Sequence, residues 1–475
     1  MSVIAAQPEH FSPQAAGRLA SFRLIPRIDT YPRVVTFAQT PPGKVVLLAL
    51  FGLGLAYNRA AWWPLLPWLL LITLLPSRRR ILVTAATLFF TFALPLYSLP
   101  QSLYGIVFFA MAIGLGAMLF WAATLWPRSW YGKRPVFFLL TGYTALILVA
   151  SRIPQTSRYH QLLWGFATVL STYVWFIGYS LLDRKSPGCD PLSLQLGTYR
   201  PFWGSTQTPI PKGAAYLRRI EARDPEQLAV VQLKGLKLLL WSILISLFSQ
   251  LFARCVHGYL KVPSLSRALS LSRGHTPLPW YMCWASLIAD FFEIIMAFSI
   301  WGHRFVACCR MAGFNALRNT YRPLSSRTVA EFFNRFYFYF KELLVDFFFY
   351  PMFLKHFKKS GKLRIVAAIF AAACFGNAYY HFFRDLGFIQ RLGVARAVVG
   401  YQVYLFYCVA LATAISISNL RRRDPAPKGF VRGQLWPSLC VGLFYCLLDI
   451  FGATERNYPL SVHFRFLAHL FNLNL

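Results

Sequence analysis

Long apolar stretches separated by short basic ones limit what this sequence can fold into. Eleven stretches are rich in Leu, Phe, Ala and Val, and most approach the roughly 20 residues that a helix needs to cross a bilayer. In lipid, every backbone polar group must be bonded within the protein, which favours helices. The expected fold is all-α, a polytopic transmembrane helical bundle of about 10–12 spans. We predict spans at 44–58, 61–76, 81–99, 103–126, 135–151, 160–182, 234–256, 279–301, 363–385, 396–418 and 435–452.

The distribution of charge predicts the orientation of the bundle. The net charge is +33, and the basic residues cluster between apolar stretches, as at Arg78–Arg80 and Arg421–Arg423. Loops rich in Lys and Arg stay in the cytoplasm, so we expect a multi-pass protein of a cell membrane with its N-terminus cytoplasmic. Segment 257–277 falls outside despite its basic residues and argues mildly against this orientation. Because the charge follows the topology, it does not indicate nucleic-acid binding.

The order of the apolar stretches predicts four parts of the chain. Residues 1–43 form a cytoplasmic N-terminal segment without the apolar core of a cleaved signal peptide. Residues 44–182 hold the N-terminal transmembrane helices, 183–233 a cytoplasmic loop, and 234–475 the remaining transmembrane core and C-terminal helices. Within the last part, 331–357 is apolar but carries charges. We predict that it forms an interfacial helix or a re-entrant pair packed in protein.

Cysteine spacing indicates neither a disulfide framework nor a metal site. The nine Cys residues form no C-x-x-C pair and no Cys/His ligand spacing. Most lie inside apolar stretches, where Cys behaves as a small hydrophobic residue. We therefore expect no metal and no resident cofactor.

Two acidic residues lie inside a predicted span, where ionisable groups are costly and mark candidate functional sites. Asp290 and Glu293 are three residues apart and so share one helix face. They could bind a cation or relay protons. Alternatively, a salt bridge to Arg304 or Arg310 could simply orient the helix.

A histidine inside another predicted span has a polar neighbour. His381 follows Asn377 by four residues, on the same helix face. Histidine is the one side chain whose neutral form is a competent base near pH 7, although a membrane histidine can also serve packing alone. The other eight His residues lie at span ends, in loops or near the termini.

Several fragments, in order from about residue 200 onward, resemble the membrane-bound O-acyltransferase family, especially its bacterial alginate O-acetyltransferase-like branch. The stretch Val231–Trp241 is similar to the family's Gly-Leu-rich entry into a membrane helix, and Asp290-Phe291 to the start of its Asp-Phe-Ser-Gly stretch. The family's Gly-Phe…Asn…Pro spacing is similar to Gly313-Phe314, Asn319 and Pro323.

The most specific fragment is Glu331–Tyr337 followed by Asp346–Pro351, which resembles the family's F-W-x-R-W-[H/N/D] box and downstream D-[YF]…P. The stretch Gly376–His381 stands where the family has its Gly…His segment. Two positions depart: Tyr337 replaces the usual His, Asn or Asp, and Phe292-Glu293 replaces Ser-Gly. Tyr337 could still donate through its phenol, and Asn334, three residues earlier on the same helical face, could substitute for it.

The resemblance implies acyl transfer from a thioester to a hydroxyl around a central tunnel through the bundle. His381 would be the general base, with Tyr337 and Asn334 as the other catalytic groups. The donor would be acyl-CoA or an acyl-carrier thioester, entering from the cytoplasm with its phosphates near Arg335 or Lys341. Further candidate substrate-binding residues are Asn377, Asp290, Asn319 and Asp346.

Two other function classes remain open. A transporter or flippase would use Asp290 and Glu293 as a proton or ion relay, and a catalytically inactive relative would hold a partner protein. We predict the acyltransferase because no inverted repeat with paired broken helices is visible in the sequence. Membrane lipids, a thioester donor and a hydroxyl-bearing acceptor are the expected partners, while the identity of the acceptor stays open.

Overall fold

The computed structural model describes residues 24–57, 63–93, 103–272, 278–421, 429–452 and 458–473. Within these ranges the regular elements are all helical. Eight of the helices are long and apolar enough to cross a membrane, or nine if one bent N-terminal pair counts as a single span. The all-α, polytopic prediction is confirmed, and the chain is a multi-pass membrane protein. The eight helices coincide with the last eight predicted spans.

The N-terminal predicted spans fold into shorter pieces. Helices α1 (Pro32–Gln39) and α2 (Pro41–Tyr57) meet at a bend of 99°. The bend falls at Thr40, whose backbone is extended because the residue before a proline avoids the helical region. The predicted span 61–76 contains α3 (Leu65–Leu74), whose ten residues extend about 15 Å, half of a bilayer core.

The predicted span 81–99 begins with helix α4 (Arg79–Leu88), which a π-helical turn extends to Ala93. The rest of that predicted span, 94–99, lies outside the described residues. Arg79 is buried at the start of α4 and donates to the carbonyl oxygen of Ala222 at 2.8 Å. This bond holds the start of α4 against the segment that contains Ala222.

Three spanning helices follow and differ in how deeply they are buried. They are α5 (Tyr104–Leu125), α6 (Pro135–Arg152) and α7 (Arg158–Asp183). In the most apolar stretch of α7, 67% of residues are buried within the protein, against 22% in α5. Helix α7 thus runs through the core, while α5 lies at the lipid-facing periphery.

The predicted cytoplasmic loop 183–233 is folded into the bundle rather than lying free. Trp203 is fully buried, and its indole N–H donates to the carbonyl oxygen of Ile210 at 2.8 Å. The loop is also shorter than predicted, because helix α8 (Pro225–Tyr259) begins nine residues before the predicted span. Asp224 caps α8, its carboxylate accepting from the N–H of Gln227 at 2.7 Å, and Pro225 suits the first helical position.

Helix α8 packs closely along α9 (Trp280–Met311). At Gly235 a side-chain Cβ would lie 3.0 Å from the carbonyl oxygen of Ala307, so the glycine allows the two backbones to approach. This pair forms one wall of the bundle.

The charged aromatic segment 331–357 is broken in two. Helix α10 (Val329–Phe336) ends where α11 (Phe338–Leu344) begins, and the residue between them, Tyr337, has non-helical backbone angles of φ −139° and ψ 77°. The residues of α11 other than Glu342 are buried. Burial within protein favours the predicted re-entrant pair over a helix lying on the membrane surface.

Three more helices complete the core: α12 (Gly361–Arg384), α13 (Gln402–Leu420) and α14 (Val431–Asp449). A π-helical turn, Phe370–Gly376, interrupts α12 before its last two turns. Such bulges are frequent at functional sites. Here the bulge precedes the turns that carry the predicted base.

Candidate functional site

His381 lies in the last two turns of α12, at mid-height of the neighbouring helix α6. Two residues earlier, the Tyr379 hydroxyl donates to the carbonyl oxygen of Leu140 at 3.0 Å and lies 2.9 Å from the Thr144 hydroxyl. Both partners are near the middle of α6. The imidazole is therefore well inside the helical bundle, and its side chain is partly buried.

A glycine sets the position of this part of α12. A Cβ at Gly376 would lie 2.5 Å from a ring carbon of Phe348, which is closer than real side chains approach. The absent side chain lets the Phe348 ring pack directly on the helix backbone. Close packing against Phe348 thus explains why the Gly376–His381 fragment begins with a glycine.

Aromatic rings surround the imidazole of His381. The ring centroids of Phe340, Tyr380 and Tyr404 lie 5.5, 5.2 and 4.8 Å from it. The Tyr404 hydroxyl donates to the side-chain oxygen of Asn377 at 2.9 Å, and both groups are buried. The predicted substrate-binding residue Asn377 is thus beside His381, and it orients a phenol that the sequence did not single out.

The second predicted catalytic residue, Tyr337, reaches the same aromatic cluster from the break between α10 and α11. The Phe340 ring contacts both Tyr337 and Tyr380, at centroid distances of 5.4 and 4.7 Å. Since Phe340 also contacts His381, one ring connects Tyr337 with the predicted base. We call His381, Tyr337, Phe340, Tyr380 and Tyr404 the imidazole–phenol cluster.

Two threonines extend this cluster and were missed by sequence interpretation. The Thr206 hydroxyl lies 3.0 Å from the Tyr337 hydroxyl, and the Thr208 hydroxyl lies 2.9 Å from that of Tyr380. Both threonines belong to the 201–213 segment, which the sequence predicts to be part of the cytoplasmic loop 183–233. A Thr-x-Thr pair between prolines was the only local signal for their role.

Asn334 and Tyr337 are separated by the end of a helix, and the suggested substitution of Asn334 for Tyr337 stays a prediction. Helix α10 ends at Phe336, so the two residues do not share one continuous helical face. The side-chain oxygen of Asn334 is nevertheless buried, and it has no hydrogen-bond partner among the described residues. It is an available acceptor inside the bundle.

Two other predicted substrate-binding residues have structural partners instead. Arg335 forms an ion pair with Glu331 at 2.5 Å and donates to the Ser325 hydroxyl at 2.8 Å. Asn319 is fully buried, and its side-chain oxygen accepts from the N–H of Tyr339 at 3.3 Å, at the start of α11. These contacts hold the re-entrant pair in place.

The acidic residues of α9 form a separate polar group. Glu293 pairs with His257 of α8 at 3.0 Å, whereas the sequence had suggested Arg304 or Arg310 as partners. The carboxyl groups of Asp290 and Asp449 are hydrogen-bonded to each other. His257 therefore has an acidic partner that the sequence did not indicate. Asp290 belongs to this group and not to the imidazole–phenol cluster.

Asp346 lies in a buried network of charges next to α7. The Lys212 ammonium lies 2.7 Å from the Asp346 carboxylate and 2.5 Å from that of Glu342, which also pairs with Lys341. The Tyr179 hydroxyl donates to Asp346 at 3.0 Å. Burial acts to lower the pKa of Lys212, but the two carboxylates outweigh it and raise the pKa above the usual lysine value of 10.5.

This network borders a cavity of about 760 Å³ at the C-terminal end of α7. Arg219 and Arg223 on its wall are exposed to solvent. The surplus of cations makes the cavity attractive to anions. The ionisable groups on its wall are Lys212, Arg218, Arg219, Arg223, Asp183, Asp346, Tyr179 and Tyr216. We call this cavity the basic pocket.

A column of aromatic rings lies between the basic pocket and the imidazole–phenol cluster. Tyr179, on the pocket wall, contacts Phe347 at a centroid distance of 5.1 Å, and Phe347 contacts Trp175 at 5.4 Å. Trp175 in turn contacts Tyr380 at 5.5 Å. The column connects the two sites by ring contacts, and the predicted central tunnel stays a prediction.

Comparison with protein-family models finds no matching family, and comparison with curated proteins finds no match.

Proposed function

We propose that the chain is a membrane-embedded O-acyltransferase that moves an acyl group from a thioester to a hydroxyl. The main support is that His381 and Tyr337, 44 residues apart in the sequence, both contact the Phe340 ring inside the bundle, at centroid distances of 5.5 and 5.4 Å. Sequence resemblance had suggested these two side chains as catalytic partners. Their joint placement in a cluster rich in hydroxyl groups suits acyl transfer.

In the proposed step the acceptor hydroxyl oxygen attacks the thioester carbonyl carbon. The neutral His381 imidazole takes the hydroxyl proton as the carbon–oxygen bond forms. The carbonyl oxygen gains negative charge and needs fixed hydrogen-bond donors, which the Tyr337 and Tyr380 hydroxyls can supply. The carbon–sulfur bond then breaks, and the imidazolium returns the proton to the leaving thiolate. No acyl-enzyme forms.

The basic pocket is the proposed entrance for the thioester donor. Phosphate groups of acyl-CoA or of a phosphopantetheine arm would meet Arg219 and Arg223, whose side chains are exposed there. Arg335 and Lys341, which the sequence suggested for this role, are instead paired with Glu331 and Glu342. The rings of the aromatic column would move aside for the pantetheine arm.

We further propose that the basic pocket faces the cytoplasm of a bacterial inner membrane. The pocket lies at the C-terminal end of α7, next to the basic segment that the charge rule assigns to the cytoplasm. The N-terminus would lie on the same side. The acceptor alcohol would then approach His381 from the opposite side, and its identity is left open by these contacts.

The test is transfer of a radiolabelled acyl group from acyl-CoA by the purified full-length chain in detergent. Replacing His381 with Gln is expected to lower the rate about 10²–10⁴-fold, the usual contribution of a general base. A matched control is His160→Gln, because the buried His160 lies outside the cluster and its Nδ1–H donates to the carbonyl oxygen of Ile153 at 2.9 Å. Equal rates in both variants would refute the proposal.

The α9 polar group supports a second candidate function, a proton relay for transport. Glu293 with His257, and Asp290 with Asp449, place two proton-sharing pairs on membrane helices. Proton-coupled uptake into vesicles that is lost in Glu293→Gln, with acyl transfer undetected, would favour this function. If neither activity is found, a scaffold that holds a partner protein is the remaining interpretation.

A further inference from the structure

A basic hairpin tip joins the re-entrant segment to helix α12. The tip, residues 355–362, begins at the last residue of the short helix Tyr350–Lys355 and extends to the second residue of α12. Its side chains are all exposed, and four of its eight residues are lysines. Between Asp346 and Asp385 the sequence contains no acidic residue that could neutralise them. We call this segment the basic tip.

Further cations adjoin the basic tip. The positive charges of Arg184 and Lys355, together with burial as the largest cause, lower the pKa of Lys185 below the usual lysine value. Lys185 also donates to the backbone carbonyl of Lys133 at 2.9 Å. The positive surface therefore extends from the tip across the end of α7 to the turn between α5 and α6.

Large apolar side chains lie exposed among these charges. Leu354 is 60% exposed, Phe357 48% and Trp130 64%. Phe357 has a φ of 52°, in the left-handed region that non-glycine residues rarely adopt. Lysines interleaved with exposed apolar and aromatic side chains at the end of spanning helices are typical of the boundary between headgroups and acyl chains.

We propose that the basic tip binds the phosphates of anionic phospholipid headgroups. The lysines would pair with the phosphates, while Leu354 and Phe357 would enter the acyl-chain boundary. A lipid fits better than an acidic protein because the tip directly continues into the spanning helix α12 and therefore lies at the membrane surface. This inference does not depend on the proposed acyl transfer.

The basic tip lies between α11 and α12 in the chain, so a headgroup bound there would affect the helical bundle. On its N-terminal side the tip connects to α11, and on its C-terminal side it continues into α12, which carries His381. A bound headgroup would fix the relative position of these two elements. We therefore expect anionic lipid to stabilise the protein as well as to bind it.

The test is native mass spectrometry of the purified full-length chain with equimolar phosphatidylglycerol and phosphatidylcholine. The wild type is expected to retain phosphatidylglycerol preferentially and to melt at a higher temperature in its presence. Exchange of Lys355, Lys358 and Lys359 together for Gln is expected to reduce that preference roughly a hundredfold, since each surface lysine attracts anionic lipid independently and the three factors multiply. Exchange of the same residues for Arg keeps the charge and should restore it.

A matched control exchanges Arg267, Arg391 and Arg396 for Gln. These are also exposed cations, and the last two follow the opposite end of α12. The control is expected to keep the wild-type preference. An unchanged preference for phosphatidylglycerol in the lysine variant would overturn the proposal. Displacement of phosphatidylglycerol by an equal concentration of glycerol 1-phosphate would indicate a site for free phosphate and would also overturn it. Binding of polyglutamate without preference for either lipid would assign the surface to an acidic protein and would also overturn it.

Discussion

Replacing Lys212 with Met tests whether the buried charge network next to the basic pocket stabilises the fold. Met is similar in volume to Lys but carries no charge, so the change leaves packing nearly intact. In the wild type the ammonium contacts the carboxylates of Asp346 and Glu342. Glu342 keeps Lys341 as a partner after the exchange, whereas Asp346 keeps only the Tyr179 hydroxyl among its contacts in the described residues.

The expected cost follows from the burial of these groups. Their side chains are 15–20% exposed, and removing one partner of a buried ion pair costs about 3–5 kcal/mol. Because some solvent reaches the pocket wall, we expect a loss near the lower end, about 3 kcal/mol. The second change Asp346→Asn removes the unpaired charge and should recover about half of this loss, which a double-mutant cycle measures.

The assay is equilibrium unfolding of the purified full-length chain in mixed detergent and SDS, followed by tryptophan fluorescence. An exposed lysine outside the network, Lys362, provides the control, and Lys362→Met should change the free energy of unfolding by less than about 0.5 kcal/mol. The reasoning fails if Lys212→Met unfolds like this control. It also fails if Asp346→Asn adds to the loss instead of reducing it.

Three further predictions follow from other contacts. Because the pKa of Lys212 is raised in the folded state, its contribution to the free energy of unfolding is complete below pH 10.5 and is lost as the pH rises through the folded-state pKa. The difference in the free energy of unfolding between wild type and Lys212→Met should therefore be constant from pH 7 to 9.5 and shrink above pH 10.5. A difference that falls between pH 7 and 9 would contradict this. Tyr404→Phe should cost about 1–3 kcal/mol in the same unfolding assay, because the buried Asn377 oxygen loses its donor; no loss would show that this bond is unimportant. Gly376→Ala should cost about 1–3 kcal/mol through contact with Phe348, and a second change, Phe348→Leu, should recover part of it; a stable single variant would refute the close packing.

The spanning helices could be predicted from the sequence because the membrane imposes a strong local constraint. Eight apolar stretches of about 20 residues became eight long helices, since their length and composition alone satisfy the bilayer. The N-terminal stretches did not follow this rule. There Pro41 breaks the helix, and α3 is too short to cross, so tertiary packing decides where the chain goes.

The candidate site could be predicted only in part. His381 and Tyr337 came from an ordered resemblance, and the structure brings them to one aromatic cluster. Thr206, Tyr404 and Lys212 could not be found in this way, because they lie on two other segments, 201–213 and α13, that only the tertiary fold brings near. The role suggested for Asn334 stays a prediction, but its spacing argument assumed a continuous helix across Tyr337, where the backbone leaves the helical region.

The most direct test of the account is a structure of the full-length chain with a non-hydrolysable thioether analogue of acyl-CoA. The account predicts phosphates against Arg219 and Arg223 in the basic pocket, with the aromatic column displaced. The carbon in place of the thioester carbonyl should lie beside His381, close enough for an acceptor oxygen to fit between them at roughly 3 Å from each. An analogue bound with its thioether remote from His381, or with its phosphates outside the basic pocket, would contradict the account.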